Sequence, residues 1–353
     1  MKNKIRVVEI ISDTNFGGAG QYLKSIVTEI DRDRFEPIVI MPVDSVLKDM
    51  LRDVEIFYCP DINEKSFSLK GTYNLYKMIR NIRPSVVHTH GSLSGRLAAQ
   101  LLGVGSIIYT KHTLSDNSVK WKRGLKRVLN RILRSKAIAI SSSVQMNLIE
   151  EGIKEDRIRM IYNGIKPIET FDQNARLKPI ISLVGRLEAI KGHRHMIEIT
   201  KRLVERYGDD FQVMFVGTGS LEAFLKSTSE VNGLPIVFSG HVDNIGSIYE
   251  NSDIIVNTSD SEALSYAALE GMMYKKPVVA FDIPGINEVI EDGKTGFLVE
   301  YMNYDLFVEC LVRLLRDDTL RTRMGELGRE RVIERFSLKE MIKGIESLYM
   351  EGL

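Results

Sequence analysis

Short β-branched runs alternate with amphipathic helical stretches along almost the whole chain, and this alternation constrains the fold more than any other feature. Ile5–Ile11, Pro37–Met41, Ser85–His90, Ile107–Thr110, Ala137–Ser141 and Arg159–Tyr162 read as strands. Between them lie helical patterns such as Tyr22, Leu23, Ile26, Val27 and Ile30, spaced to bury one face. The series then restarts with Ile180–Val184, Phe211–Val216, Ile236–Ser239, Ile254–Asn257, Pro277–Phe281 and Phe297–Val299. Strand–helix alternation implies parallel sheets with helices on both faces. Two such sets in 353 residues predict two doubly wound α/β domains rather than one large sheet. The first spans 1–165 and the second 180–336. A linker falls at Lys166–Pro179, where two prolines and a mixed run from Glu169 to Asn174 break the periodicity. In 337–353 one further helix, Leu338 to Tyr349, either packs on the second domain or crosses back to the first.

The net charge of +1 gives no global attraction to nucleic acid or membrane, so any electrostatic role must come from local clustering. Cys59 and Cys310 form neither a zinc spacing nor a disulfide framework, which fits a reducing compartment. The first apolar run, broken by Arg6 and Glu9, is too short for a signal core or a membrane span. The expectation is a cytosolic protein able to sit on the inner face of the plasma membrane.

One segment stands apart. Lys120 to Lys136 holds eight basic residues and no acidic one, which leaves the rest of the chain net acidic. Trp121, Leu125, Val128, Leu129, Ile132 and Leu133 share one helical face there. That stripe is either core beneath a solvated basic face or an anchor for anionic headgroups. In the second case Lys120, Trp121, Lys122, Arg123, Lys126 and Arg127 mark the acceptor or membrane side.

Three loops carry candidate chemistry. After the first strand, Gly17-Gly18-Ala19-Gly20 opens a helix, where glycine lets the backbone approach a ligand and free amides suit an anion. Leu23 stands where a dinucleotide fingerprint needs its third glycine, so this loop is also compatible with a plain tight turn. In the second domain, Gly185-Arg186 and Lys191-Gly192 follow a strand end. Arg186 and Lys191 suit a diphosphate, as a fork and a point charge. Further on, Ser259-Asp260-Ser261-Glu262-Ala263-Leu264-Ser265 leads into a helix containing Glu270. At 1.5 Å rise per residue the two carboxylates are up to ~12 Å apart along the axis. That span suits a sugar ring at Glu262 and a ribose at Glu270, with the amides of Ala263, Leu264 and Ser265 near a diphosphate between them.

Together these motifs resemble the retaining glycosyltransferases of the GT-B class, family 4. The likeness rests on Glu262-x7-Glu270, on Lys275-Lys276-Pro277-Val278-Val279-Ala280, and on Pro284-Gly285 followed by Glu288-Val289-Ile290 and Asp292-Gly293. Asn163-Gly164 and Gly217-Thr218-Gly219 fit as well, in the expected order over nearly the whole chain. The resemblance implies two Rossmann-like domains facing each other across a cleft, the first on the acceptor side and the second on the nucleotide-sugar side. It implies that Gly17 and Gly18 line that cleft, and that Arg186 and Lys191 neutralise the leaving diphosphate. Glu262 would hold the donor sugar, Glu270 the ribose, and Gly217 and backbone near Val242 the nucleotide.

It also implies that His112 contacts the donor sugar or acceptor, with His90 a neighbour and His88 structural. His88 and His90 share a strand face and could bind metal, but two ligands without a third do not make a site. The family implies no metal and no cofactor, and a front-face reaction in which the leaving phosphate helps to take the acceptor proton. Ala263-Leu264-Ser265 departs from the glycine-containing turns common there, which bears on donor-sugar identity. The expected reaction moves a sugar, from a UDP-sugar by preference, to a glycan or lipid-linked acceptor in cell-surface polysaccharide or glycolipid synthesis. A nucleotide-sugar epimerase of the same architecture, or a non-catalytic partner subunit of a transferase, is the alternative.

Overall fold

The computed structural model describes residues 4–115, 119–168 and 178–353. The chain divides into two units, Met1–Gly164 with Leu338–Leu353, and Ile165–Ser337. Of the expected linker, residues 169–177 lie outside the described residues.

Unit 1 begins with β1 (Ile5–Ile11), α1 (Gly18–Glu29), β2 (Phe35–Met41), β3 (Glu55–Tyr58) and α2 (Leu69–Ile82). It continues with β4 (Val86–His90), α3 (Leu93–Leu101), β5 (Ser106–Lys111), α4 (Lys120–Ile132), β6 (Lys136–Ala139), α5 (Ser142–Glu150) and β7 (Ile158–Met160). Unit 2 holds β8 (Ile180–Val184), α6 (His193–Tyr207), β9 (Gln212–Val216), α7 (Glu222–Val231), β10 (Ile236–Gly240) and α8 (Ile245–Glu250). Then come β11 (Ile254–Asn257), α9 (Tyr266–Met273), β12 (Val278–Phe281), β13 (Gly296–Val299), α10 (Tyr304–Arg316) and α11 (Asp318–Arg335). The last helix, α12 (Leu338–Met350), belongs to unit 1.

The sheets run β3-β2-β1-β4-β5-β6-β7 and β10-β9-β8-β11-β12-β13, and the registered pairs are parallel. Each is therefore a doubly wound sheet whose strand order reverses once, between β1 and β4 and between β8 and β11. At such a reversal the flanking loops leave in opposite directions and open a crevice at the strand carboxyl ends. β3 has no counterpart in the periodicity: its four residues, Glu55-Ile56-Phe57-Tyr58, sit at a sheet edge with exposed ends and show no buried run.

Apolar burial holds the sheets to their helices. Ile10, Ile40 and Val87 are fully buried against Leu75 and Ile79 of α2. Each such side chain contributes about 1.5–3 kcal/mol relative to exposure.

The structure corrects the single apolar stripe expected on α4. Leu133 is buried, but Trp121, Leu125, Val128 and Ile132 are 68%, 54%, 54% and 62% exposed. The inward side is polar instead. Asn130 donates to the Glu151 carbonyl and accepts from Arg96, while Lys126 and Lys111 both pair with the buried Glu151 carboxylate at 2.8 Å. A helix anchored by buried polar contacts turns its apolar residues outward.

Candidate active site

In unit 2 the β8–β11 reversal brings the loops after both strands together. Thr258 Oγ1 donates to the Gly192 carbonyl at 2.9 Å, and the Asp260 amide donates to Ile190 O at 2.9 Å. Gly192 has φ +67°, and a Cβ there would lie 1.8 Å from Thr258 O, so only glycine lets the loops touch. This contact sets Lys191 against Glu262: Lys191 Nζ donates to Glu262 Oε1 at 2.7 Å. Ser259 Oγ (2.8 Å) and Asn257 Nδ2 (3.3 Å) donate to the same oxygen. Three donors thus converge on Oε1, and Oε2 has no partner among the described residues. Ser265 accepts from Asn257 and from the Ala268 amide, capping α9, with Ala263 and Leu264 buried in the intervening turn.

Glu270 lies within α9 and accepts from the Tyr249 hydroxyl at Oε2, 2.7 Å away. Burial pushes its carboxyl up to about 7, against the opposing pull of the Tyr249 bond. Its Oε1 also has no partner among the described residues. Arg186 is exposed and makes no ion pair among them, while neighbouring Glu188 is occupied by the Ser220 amide and hydroxyl (2.9 and 2.6 Å). Gly217 has φ +133°, and a Cβ there would come within 2.3 Å of Gly185 O, so backbone packing between β8 and β9 explains this glycine without a ligand. Val242 follows the adjacent β10 and is half-buried. The structure thus joins Lys191 and Glu262 directly, links Ser265 to Glu262 through Asn257, and places Arg186, Gly217, Val242 and Glu270 on the adjoining loops and helix.

In unit 1, Gly17 caps α1 without a side chain, and a Cβ there would meet nothing within 4 Å. Gly18 is the first residue of that helix. His90 ends β4 and His112 follows β5, and their rings stack 5.3 Å apart with His90 Nδ1 to His112 Nε2 at 3.0 Å. Tyr22 of α1 packs edge-on against both.

A residue the sequence analysis missed completes this group. Glu9, mid-strand in β1 and 0% exposed, is in register with His88, so β1 and β4 present Glu9, His88 and His90 on one face. Glu9 Oε2 accepts from His90 Nε2 at 2.9 Å and lies 3.1 Å from His88 Nδ1. Tyr349 of α12 donates to Glu9 Oε1 at 2.5 Å, and its oxygen lies 2.7 Å from His88 Nδ1. His88 Nε2 meets Thr110 Oγ1 at 2.7 Å. Burial alone would raise the Glu9 carboxyl, but His88 and His90 outweigh it and hold it far below the usual range. Burial, then His88, lowers His90 against the pull of Glu9. Burial and the two other imidazoles hold His112 well below its usual value. Glu9, His88 and His90 offer ligand atoms within 4.8 Å of one another, and hydrogen bonds already engage every one of these atoms. The available signal was a carboxylate interrupting the apolar run Ile-Arg-Val-Val-Glu-Ile-Ile.

Of the basic segment, Lys120, Trp121 and Arg123 sit on the first turn of α4. Lys126 and Arg127 are not free surface cations, since Lys126 pairs with Glu151 and Arg127 Nε donates to Glu150 O at 2.8 Å. The Lys122 side chain lies outside the described structure.

Two family models match adjoining stretches of the chain: Glycosyltransferase Family 4 over residues 16–168, and Glycosyl transferases group 1 over residues 167–331. The chain belongs to glycosyltransferase family 4. The family-4 match contains Gly17, His90 and His112, and the group-1 match contains Arg186, Lys191, Glu262 and Glu270. Glu9 and Tyr349 lie outside both stretches. Among relatives, the chain is 25% identical to the Escherichia coli UDP-Gal:alpha-D-GlcNAc-diphosphoundecaprenol alpha-1,3-galactosyltransferase, over 91% of this chain and 90% of that one. It is 26% identical to the capsular polysaccharide biosynthesis glycosyltransferase CapM of Staphylococcus aureus, over 85% and 83%. Among solved structures, a Rickettsia africae glycosyltransferase superposes with TM-score 0.83 at 23% identity, covering 99% of each chain. Anabaena HepE in complex with UDP-glucose superposes with TM-score 0.84 at 18% identity, covering 98% and 100%. These likenesses establish the GT-B architecture of two Rossmann-like domains.

Proposed function

We propose that this glycosyltransferase moves a sugar from a nucleotide-sugar, a UDP-sugar by preference, to a glycan or lipid-linked acceptor, with retention of configuration and without a metal ion. The observation that carries this reading is the state of the paired carboxylates. Glu262 and Glu270 each have one oxygen fixed by protein donors and one left open, Glu262 at the start of the turn whose amides precede α9 and Glu270 within that helix. Open carboxylate oxygens suit hydroxyl donors, the sugar at Glu262 and the ribose at Glu270. Arg186, exposed and unpaired among the described residues, would meet the diphosphate with Lys191, and both oppose the charge that grows on it as the glycosidic bond breaks. The names of the E. coli and S. aureus relatives, one citing UDP-Gal and a diphosphoundecaprenol acceptor and the other capsular polysaccharide, support a role in cell-surface polysaccharide or glycolipid synthesis.

The experiment is incubation of the purified chain with UDP-sugars, with and without lipid-linked acceptors, in the presence of EDTA, followed by mass analysis and by NMR of the anomeric proton. Transfer that survives EDTA and yields the donor's anomer is expected. Conversion of the donor to a free epimer without acceptor would instead identify an epimerase, and inverted product would remove the retaining mechanism.

The outward stripe of Trp121, Leu125, Val128 and Ile132, flanked by Lys120, Arg123 and Arg131, supports peripheral binding of α4 to an anionic membrane. Among the described residues no helix is long and apolar enough to cross a membrane. Co-sedimentation should be strong with anionic vesicles and weak with neutral ones, and should fall on Trp121→Ala with Leu125→Ala. Equal weak binding to both vesicle types sinks the membrane role.

A further inference from the structure

The buried group in unit 1 fixes the direction of its own hydrogen bonds. A carboxylate only accepts, so Tyr349 spends its single hydroxyl proton on Glu9 Oε1. Its oxygen must then accept from His88 Nδ1–H. Glu9 Oε2 likewise requires a proton on His90 Nε2. A neutral His90 therefore offers only a lone pair at Nδ1, and the ring facing it at 3.0 Å must supply the proton. That ring is His112, through Nε2. Its other nitrogen, Nδ1, is then unprotonated, and it has no partner among the described residues. Burial keeps both imidazoles neutral, as their lowered values show.

We propose that Glu9 and His90 are positioning residues that fix His112 in its Nε2–H tautomer, so that its bare Nδ1 accepts a hydrogen bond from a substrate hydroxyl. Tyr349, 340 residues away in sequence, satisfies the second oxygen of Glu9 and holds the carboxylate in place. Without the carboxylate the proton between the two rings is free to sit on either, and the tautomer that turns an N–H toward the substrate can only donate to the hydroxyl oxygen and no longer accepts its proton. Which hydroxyl is held, that of the donor sugar or of the acceptor, rests on the function proposed above.

The test uses the full chain labelled with 15N-histidine. A through-hydrogen-bond coupling between His90 Nδ1 and His112 Nε2 should appear, with the one-bond N–H coupling placing the proton on His112. A proton on His90 Nδ1, or no coupling, overturns the proposal. In kinetics, Glu9→Gln should lower kcat about 10–100-fold with KM for the nucleotide-sugar within about 2-fold, as for outer partners that orient a working histidine. Wild-type kcat in Glu9→Gln also overturns it. Should Glu9→Gln fail to fold, His90→Asn and His90→Leu serve in its place. Both lose Glu9, but Asn keeps an acceptor for His112 Nε2–H and should retain more activity, while equal activities refute the relay. A parallel fall in acceptor-free donor hydrolysis assigns the hydroxyl to the donor sugar, and a fall in transfer alone assigns it to the acceptor. A wild-type chain that shows the coupling but transfers no sugar leaves the tautomer standing and removes the transferase reading.

Discussion

Glu9 in unit 1 and Glu262 in unit 2 are both buried carboxylates beside a basic side chain, and both sit at the point where a sheet reverses its strand order. Around Glu9 both oxygens are taken, by Tyr349, His90 and His88, and the group is sealed within the sheet face and its covering helices. Around Glu262 three donors crowd onto one oxygen and leave the other open, beside a Lys191 side chain that keeps 28% of its surface. A closed network can only orient what lies at its end. A half-satisfied one keeps bonding capacity for a ligand. Burial alone therefore does not separate a structural charge from a binding one; the count of unused lone pairs does.

The largest effect should come from the open side. Glu262→Gln is expected to lower kcat by about 10²–10³, the loss typical of one preorganised group acting on developing charge. Steady-state kinetics check it, and unchanged kcat would show that the open oxygen of Glu262 holds nothing that matters to the reaction. On the closed side, Tyr349→Phe strands a buried carboxylate oxygen and should cost about 1–3 kcal/mol in urea unfolding. UDP affinity should not change. A Tyr349→Phe protein of normal stability would show that the Glu9 group is wetter than its burial implies.

Glu270 sharpens the comparison through pH. Its folded carboxyl lies at about 7, above the ordinary 4.5, so the folded chain binds more protons than the unfolded chain between those values. Stability from this group is thus complete below 4.5 and is lost as pH rises through about 7. Ribose hydroxyls need the anion, so UDP affinity, read by calorimetry, should fall about 10-fold from pH 8 to 6, beyond any change shared by Glu270→Gln. Identical profiles in the two proteins would detach Glu270 from the ribose. The smallest effect belongs to the cap: Ser265→Ala should cost about 1 kcal/mol of stability in thermal unfolding. A larger loss of UDP binding than of stability would show that the turn before α9 positions the ligand as well as the helix.

Glu262, Lys191 and Arg186 were legible because each sits in a short loop between a recognisable strand and helix, and Glu270 because it lies on the helix that follows, where local spacing decides what can meet a ligand. The α4 segment was legible only in half. Periodicity gave a face to Trp121, Leu125, Val128 and Ile132, but a helix pattern does not say which face turns inward when Glu151 and Arg96, from other elements, bond its polar side.

Alternation of period-2 and period-3.6 runs was enough, by itself, to determine two parallel sheets, the loops at their strand ends and the acidic and basic residues those loops carry. Tertiary structure alone decided that Lys191 donates to one oxygen of Glu262, that α12 returns to unit 1, and that Glu9 lies under His90. The physical reason is range. Strand and helix periodicity is a property of neighbouring residues, whereas a hydrogen bond between Glu9 and Tyr349 depends on register across strands and on which helix covers the sheet.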